Sequence, residues 1–168
     1  MSDQPLPLLN VYDVPDEAGR VRQILAFIEP ARADAAGIDK RSIVGEVTTT
    51  PEGGFDATGL QVNPDFVVAL SDYMDEVAAV SPEMVAMARS VRPGWAYVTD
   101  PRNPGQAGVD PPQADIVGAF AVDDAGQISP GSFQYNHSHV LIDRDRGMSG
   151  LFSDRKFYDW LHRDPSDP

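Results

Sequence analysis

The chain has 168 residues, 42% of them hydrophobic, which supplies enough apolar surface for one domain of ordinary size. It contains no cysteine, so disulfides, thiolate metal sites and cysteine nucleophiles are excluded. The 26 acidic and 13 basic residues give a net charge of −13, which disfavours binding to nucleic acid or to an anionic membrane surface. No apolar run approaches the roughly 20 residues that span a bilayer, and the first residues lack the features of a secretory signal. A cytoplasmic location is therefore expected.

The first third of the chain predicts a helix followed by strands. Residues 1–14 read as a lead-in or short strand, and the helical spacing of apolar residues between Pro15 and Pro30 predicts an amphipathic helix. Residues 42–50 are rich in β-branched side chains and predict a strand, with a second strand at 55–62 after a glycine turn.

Two helices are predicted next, each opened by a capping residue and a proline. Asn63 precedes Pro64 in the first helix, and Ser81 precedes Pro82 in the second. Residues 95–99 predict a buried strand, and we expect Trp95 and Trp160 to be core residues.

The last third predicts a long loop, a hairpin and a helix. Residues 100–113 hold four prolines and two glycines and predict a loop. Strands are expected at 116–122 and 132–143, joined by a turn, and a helix is expected after Ser153. No internal repeat is apparent.

This element order indicates an α+β fold, because strands and helices do not alternate regularly. We expect an antiparallel or mixed sheet of about four to six strands, with about four helices packed mainly on one face. The organisation expected is a single domain over residues 15–163, which includes the 100–113 loop, and a frayed tail at 164–168.

A histidine pair is one candidate for chemistry. On a strand, His137 and His139 would share a face, and Asp143 or Asp145 could complete a metal site. The alternative is that both histidines are structural or partner contacts. Residues 143–154 depart from the EF-hand calcium pattern at its glycine and at its last ligand, so calcium binding is not expected.

No other motif in the sequence indicates catalysis or a cofactor. There is no G-x-S-x-G elbow for a serine nucleophile and no glycine-rich phosphate loop. We therefore expect no cofactor, and the enzyme hypothesis is the weaker one.

The distribution of charge is more informative than its sum. Residues 42–88, the acidic segment, contain no lysine or arginine, although an even distribution of the 13 basic residues would place about three or four there. The segment carries eight carboxylates: Glu46, Glu52, Asp56, Asp65, Asp72, Asp75, Glu76 and Glu83. Ordinary solvation of outward faces explains such residues in many proteins. A surface of one sign also speeds and orients the encounter with an oppositely charged partner.

The sequence thus favours a small acidic domain that binds a basic protein partner. Immunity and inhibitor proteins, which cover the basic active site of a toxin, are one form of this class. The predicted contact residues are Glu46, Glu52, Phe55, Asp56, Asp65, Asp72, Tyr73, Asp75 and Glu76, with the two aromatics as anchors. The alternatives are a metal-binding domain or metal-dependent enzyme that uses His137 and His139, and an accessory domain without a ligand.

Overall fold

The computed structural model describes residues 8–49, 51–52, 55–105, 109–143, 145–164 and 166, without the side chains of 49 and 55–59. The described residues form nine strands and four α-helices. The strands are β1 Leu9–Pro15, β2 Val21–Phe27, β3 Ile43–Thr49, β4 Phe55–Val62, β5 Gly94–Thr99, β6 Ile116–Val122, β7 Gln134–Tyr135, β8 Ile142–Asp143 and β9 Gly147–Met148. The helices are α1 Pro30–Ala36, α2 Pro64–Glu76, α3 Pro82–Val91 and α4 Arg155–Leu161.

The predicted α+β class with antiparallel strands is confirmed. The strands form a four-stranded sheet in the order β1-β2-β3-β4, a three-stranded sheet β5-β6-β7 and a two-stranded sheet β8-β9. Every pairing among them is antiparallel. None of the helices in the described ranges is long and apolar enough to cross a membrane.

The chain divides into two compact units. The first comprises residues 1–68 and 152–168, and the second comprises residues 69–151. An aromatic cluster forms the core of the first unit, where Phe27 contacts the rings of Phe152, Phe157 and Tyr158. In the second unit Phe120 packs against Phe133, with ring centroids 5.2 Å apart.

The predicted helix between Pro15 and Pro30 is wrong, because this segment belongs to the hairpin of β1 and β2. The turn is closed by Asp16, whose side chain accepts hydrogen bonds from the backbone of Ala18 and Arg20. Residues 24–28 are all buried, as expected for a strand covered on both faces. Their apolar positions also fit a helical repeat, and a short apolar run does not distinguish the two.

The helices predicted at Pro64 and Pro82 are confirmed. The Asn63 side chain accepts from the backbone N–H of Asp65, and the Ser81 hydroxyl accepts from that of Met84. The last helix is also present, but Asp154 caps it rather than Ser153, by accepting from two N–H groups of the first turn.

The long strand predicted at 132–143 is wrong, because only Gln134–Tyr135 and Ile142–Asp143 are strands. Between them the backbone turns at Asn136, whose carbonyl oxygen accepts from the backbone N–H of His139 at 2.9 Å. Asn136 also accepts the N–H of Ser138 through its side chain. This local hydrogen bonding competes with the strand ladder and ends it.

The two units contain the same three-stranded motif, which the sequence analysis missed. In the first unit β2, β3 and β4 pair in that order, and in the second unit β5, β6 and β7 do so. A bulge interrupts β2 between Leu25 and Ala26, and an equivalent bulge interrupts β5 between Val98 and Thr99, 73 residues further along the chain. The registers agree under this shift, since Gly45 pairs with Leu25 and Val62, and Gly118 pairs with Val98 and Tyr135.

An asparagine ends the motif in each unit. The side-chain amide of Asn63 donates to the carbonyl oxygens of Lys40 and Ile43, each at 2.9 Å. The amide of Asn136 donates at the same distances to the equivalent carbonyl oxygens, those of Gln113 and Ile116. The residues identical under the shift include Ile-Val-Gly (43–45 and 116–118) and the Gln and Asn of Gln-x-Asn (61–63 and 134–136). The chain therefore carries an internal duplication of this motif.

Candidate protein interface

The structure places most of the predicted acidic contacts at the surface. Glu46 on β3 is exposed and lies 3.6 Å from Arg22 in an ion pair. Glu52 lies exposed in a turn, and Asp65, Asp72 and Glu76 are exposed on α2. Since Asp72 and Glu76 are four residues apart on one helix, they lie on the same face.

Two predicted contacts are buried or half-buried. Tyr73 is buried, so it is not the surface anchor that the sequence predicted. Asp75 is half-buried, and its Oδ1 accepts a hydrogen bond from the backbone N–H of Phe133 at 3.0 Å. The side chains of Phe55 and Asp56 lie outside the described part of the structure.

Four large apolar side chains in the described part of the acidic segment are exposed, those of Val62, Val68, Val80 and Met87, and two of them are mostly exposed. Val68 on α2 is 60% exposed, and Val80, in the short 3₁₀ helix after α2, is 72% exposed. On α2, Val68 follows Asp65 by three residues and precedes Asp72 by four, so this helix face combines carboxylates that attract a cationic partner with an apolar contact.

The two predicted histidines lie in and just after the turn that follows β7, and not on a strand. His137 is exposed, whereas His139 is buried and lies 2.7 Å from the carboxylate of Asp100 through its Nε2. Asp143 accepts from the backbone N–H groups of Asp145 and Arg146. In the ranges that the structure describes, no group of three His, Asp or Glu side chains is placed to hold a metal ion. The metal hypothesis therefore finds no support in the geometry.

Asp100, which the sequence analysis did not single out, is the centre of a buried polar network in the second unit. Its Oδ2 accepts from His139 Nε2 and from the Ser149 hydroxyl. Its Oδ1 accepts from the backbone N–H groups of Arg102 at 3.0 Å and Gly150 at 2.8 Å. One carboxylate thereby joins the end of β5, the turn after β7 and the segment after β9.

A second buried carboxylate, Asp115, continues this network. Its Oδ2 accepts from Asn103 at 2.9 Å and from Arg146 at 2.7 Å. The backbone of Asp100 donates to the backbone oxygen of Asp115 at 2.7 Å. Arg102 lies 3.6 Å from Asp100 and 3.7 Å from Asp115, so each buried carboxylate has a cation beside it. Arg102 also donates to the carbonyl oxygens of Ala114, Val140 and Gly147.

The network is not arranged for nucleophilic catalysis. A serine nucleophile needs the histidine between itself and the carboxylate, whereas Asp100 lies between Ser149 and His139 and accepts from both. Nδ1 of His139 is buried without a hydrogen-bond partner among the described residues. The remaining histidine, His162, donates through Nε2 to the carbonyl oxygen of Phe27. The network therefore holds loops in place.

We expect this network to make the second unit sensitive to acid. Burial alone would raise the pKa of Asp100, but the hydrogen bonds from His139, Ser149 and the backbone outweigh burial and hold the pKa well below its ordinary value. Such a carboxylate stabilises the fold above its unfolded pKa of about 4, and the stabilisation is lost as the pH falls through the folded pKa. The Tm should fall below about pH 4, and it should fall less in an Asp100→Asn variant. Parallel Tm curves for the two proteins over this range would contradict the expectation.

The structure also reveals an aromatic groove that the sequence analysis missed. Trp95, predicted to lie in the core, is 44% exposed, and Tyr97 on the same strand is 49% exposed. They border a groove of about 360 Å³ on the sheet β5-β6-β7, with Ala119 and Gln134 among its other lining residues. Side chains of β5 alternate between the two faces of the sheet, and Ala96 is fully buried between the two exposed aromatics. This alternation was the signal from which the groove could have been predicted.

No family model, curated protein or solved structure matches the chain.

Proposed function

We propose that this chain is a small protein-binding protein of the immunity or inhibitor type. It covers a basic surface of its partner, a toxin in the immunity form, with carboxylates of the acidic segment, and it acts in the cytoplasm. One observation carries the proposal: Asp65 and Asp72 are exposed and form no ion pair with any described residue, in a segment of 47 positions without a basic residue.

Unpaired carboxylates of this kind are suited to attract a partner. An exposed ion pair within one chain contributes little to stability, so the loss of internal pairing costs the fold little. The uncompensated charge instead raises the rate of encounter with a cationic surface, and salt reduces this rate. The exposed Val68, which lies between the two carboxylates on α2, supplies an apolar contact that a purely electrostatic encounter lacks.

Reversal of the two unpaired carboxylates tests the proposal. The partner is captured on the immobilised chain, identified and purified, and its association is measured over a series of salt concentrations. We expect the double variant Asp65→Lys, Asp72→Lys to slow association by about tenfold at low salt and to flatten its salt dependence. Asp75 is left unchanged, because its bond to the Phe133 backbone would confuse loss of binding with loss of folding.

A matched control separates location from net charge. Asp110 and Asp124 are exposed outside the acidic segment, and the variant Asp110→Lys, Asp124→Lys changes the net charge by the same amount. Association as slow in the control as in the test variant would show that only the total charge matters. For the immunity form, co-expression of the wild-type chain should restore growth to cells that produce the captured partner, and failure to do so would reject that form.

A further inference from the structure

The duplicated motif shows that one sheet edge in the second unit has no covering strand among the described residues. In the first unit β1 pairs with β2 along its whole length, from Leu9–Phe27 to Pro15–Val21. The strand equivalent to β2 in the second unit is β5, and among the described residues it pairs only with β6. In its described residues, the second unit therefore contains the motif without a covering strand.

No described residue pairs with the backbone of β5 along this edge. In an antiparallel pair, alternate N–H and C=O groups point away from the partner strand and need another acceptor or donor. Outside the pairing with β6, no hydrogen bond of the described residues reaches the backbone of Trp95 to Thr99. The strand itself has neither the lysine nor the proline that proteins use to protect an edge.

The side chains beside this edge favour an apolar occupant. Arg22 and Glu46 form an exposed ion pair on the first unit's sheet, and the equivalent residues of the second unit are Trp95 and Ala119. The described lining of the groove carries no charged side chain. Half-exposed Trp and Tyr beside small residues are typical of the anchoring positions of protein interfaces.

The charges at the start of β5 indicate the direction and chemistry of the occupant. Arg89 and Arg92 are exposed just before the strand and form no ion pair with described residues. A strand that pairs antiparallel with β5, as β1 does with β2, ends next to Gly94. Both arginines lie beside Gly126 of the turn after β6, and their positive charge favours carboxylates at the C-terminal end of the incoming segment.

We propose that β5 binds an extended segment of a partner protein, which adds to the sheet as an antiparallel strand. The segment has alternating apolar side chains that pack on Trp95 and Tyr97, and acidic residues at its C-terminal end. A second copy of this chain is the less suitable occupant, because two chains that each carry a charge of −13 repel one another. This site goes beyond the acidic segment and does not depend on it.

Hydrogen exchange of the free protein provides the first test, with β2 as the internal control. The amides of β2 are enclosed by β1 and β3, whereas we expect alternate amides of β5 to exchange at least tenfold faster than their β2 equivalents. Equal protection of the two strands would overturn the proposal, because it would show that the edge of β5 is already covered.

The second test uses two synthetic probes based on β1, the peptide LNVYDVP extended by two C-terminal glutamates and the same peptide with alternate backbone nitrogens methylated. We expect the first peptide to protect the outward amides of β5 and to shift Trp95 emission to the blue in a Trp160→Phe background. Methylation should abolish both effects, because it removes the ladder hydrogen bonds. No protection by the unmethylated peptide at millimolar concentration, or equal binding of the methylated one, would overturn the proposal.

Two variants separate the contributions to binding. Replacing Trp95 and Tyr97 by serine should lower the affinity for the peptide at least tenfold, and Arg89→Gln with Arg92→Gln should lower it only when the peptide carries the glutamates. Unchanged affinity in both variants would overturn the site.

The double variant Asp65→Lys, Asp72→Lys should leave peptide binding unchanged, so failure of this site and failure of the proposed function are distinguishable. Protein dimers with protected β5 amides in sedimentation and exchange measurements would assign the edge to a second copy and reject a partner segment.

Discussion

Replacement of Asp100 by alanine is expected to destabilise the second unit by about 3–5 kcal/mol, the usual cost of removing one member of a buried charged network. The substitution leaves the buried donors of His139, Ser149 and two backbone N–H groups without their acceptor. Each unsatisfied buried group adds its own desolvation cost. An Asp100→Asn variant, which keeps one oxygen acceptor, should lose less.

The two tryptophans allow each unit to be followed separately. Trp95 belongs to the second unit and Trp160 to the first, and the chain has no other tryptophan. Urea unfolding of Asp100→Ala in a Trp160→Phe background, followed by Trp95 fluorescence, measures the effect on the second unit. Asp124→Ala, a change at an exposed carboxylate, is the control. A loss as small for Asp100→Ala as for Asp124→Ala would show that the network contributes nothing to stability.

The second large effect is expected at the duplicated glycine. A Cβ atom at Gly118 would overlap the backbone oxygen of Gln134 and the ring of Phe133, and one at Gly45 would overlap the backbone oxygen of Gln61. Because a backbone carbonyl cannot turn aside as a flexible side chain does, the strands must separate. Gly118→Ala and Gly45→Ala should each destabilise their own unit by about 1–3 kcal/mol.

Unfolding of each glycine variant is measured with the tryptophan of its own unit, Trp95 for Gly118→Ala and Trp160 for Gly45→Ala. Ala119→Val is the control for added volume on β6, because Ala119 lines the open groove rather than a packed contact. If Gly118→Ala were no more destabilising than Ala119→Val, close packing at this glycine would not be required.

Local signals predicted some elements well. The helices after Asn63 and Ser81 were predictable, because a capping residue followed by proline specifies a helix start with few neighbours involved. The structure of residues 15–30 was not predictable, because their apolar residues fit both the 3.6-residue repeat of a helix and a short buried strand. Only the pairing of β2 with β1 and β3 decides between these two structures. At 132–143, the β-forming composition was overridden by the side chain of Asn136, which bonds to the loop before β6.

The duplication was present in the printed sequence, although it is faint. Ile-Val-Gly and Gln-x-Asn recur at one spacing, and the intervening residues differ. The recurring residues include two with contacts to the backbone that few other residues can make. The glycine lies so close to a backbone carbonyl oxygen that a Cβ atom would overlap it, and the asparagine amide donates to two backbone carbonyl oxygens. The side chains between them need only fill space, so they diverged. A search for recurring glycine and asparagine at fixed spacing would have found the motif.

The candidate interface was partly predictable, because local sequence patterns indicate which residues are exposed. Exposed carboxylates follow from composition and helical spacing, so Asp65, Asp72 and Glu76 lie where the sequence predicts. Burial of Tyr73 depends on which face of α2 packs inward. The network of Asp100 and Asp115 joins residues far apart in the sequence, and no local pattern indicates it.

The shared register of the two motifs also has a consequence for how the chain folds. Strands that satisfy the same hydrogen-bonding pattern in two places can pair with the wrong copy while the chain is still collapsing, as repeat proteins do when they misassemble. Here the copies differ where mispairing would matter. An exchanged β3 would bring Glu46 to the aromatic groove in place of Ala119, and an exchanged β6 would leave Arg22 without its carboxylate. We therefore expect the divergence of the side chains to direct each strand to its own sheet.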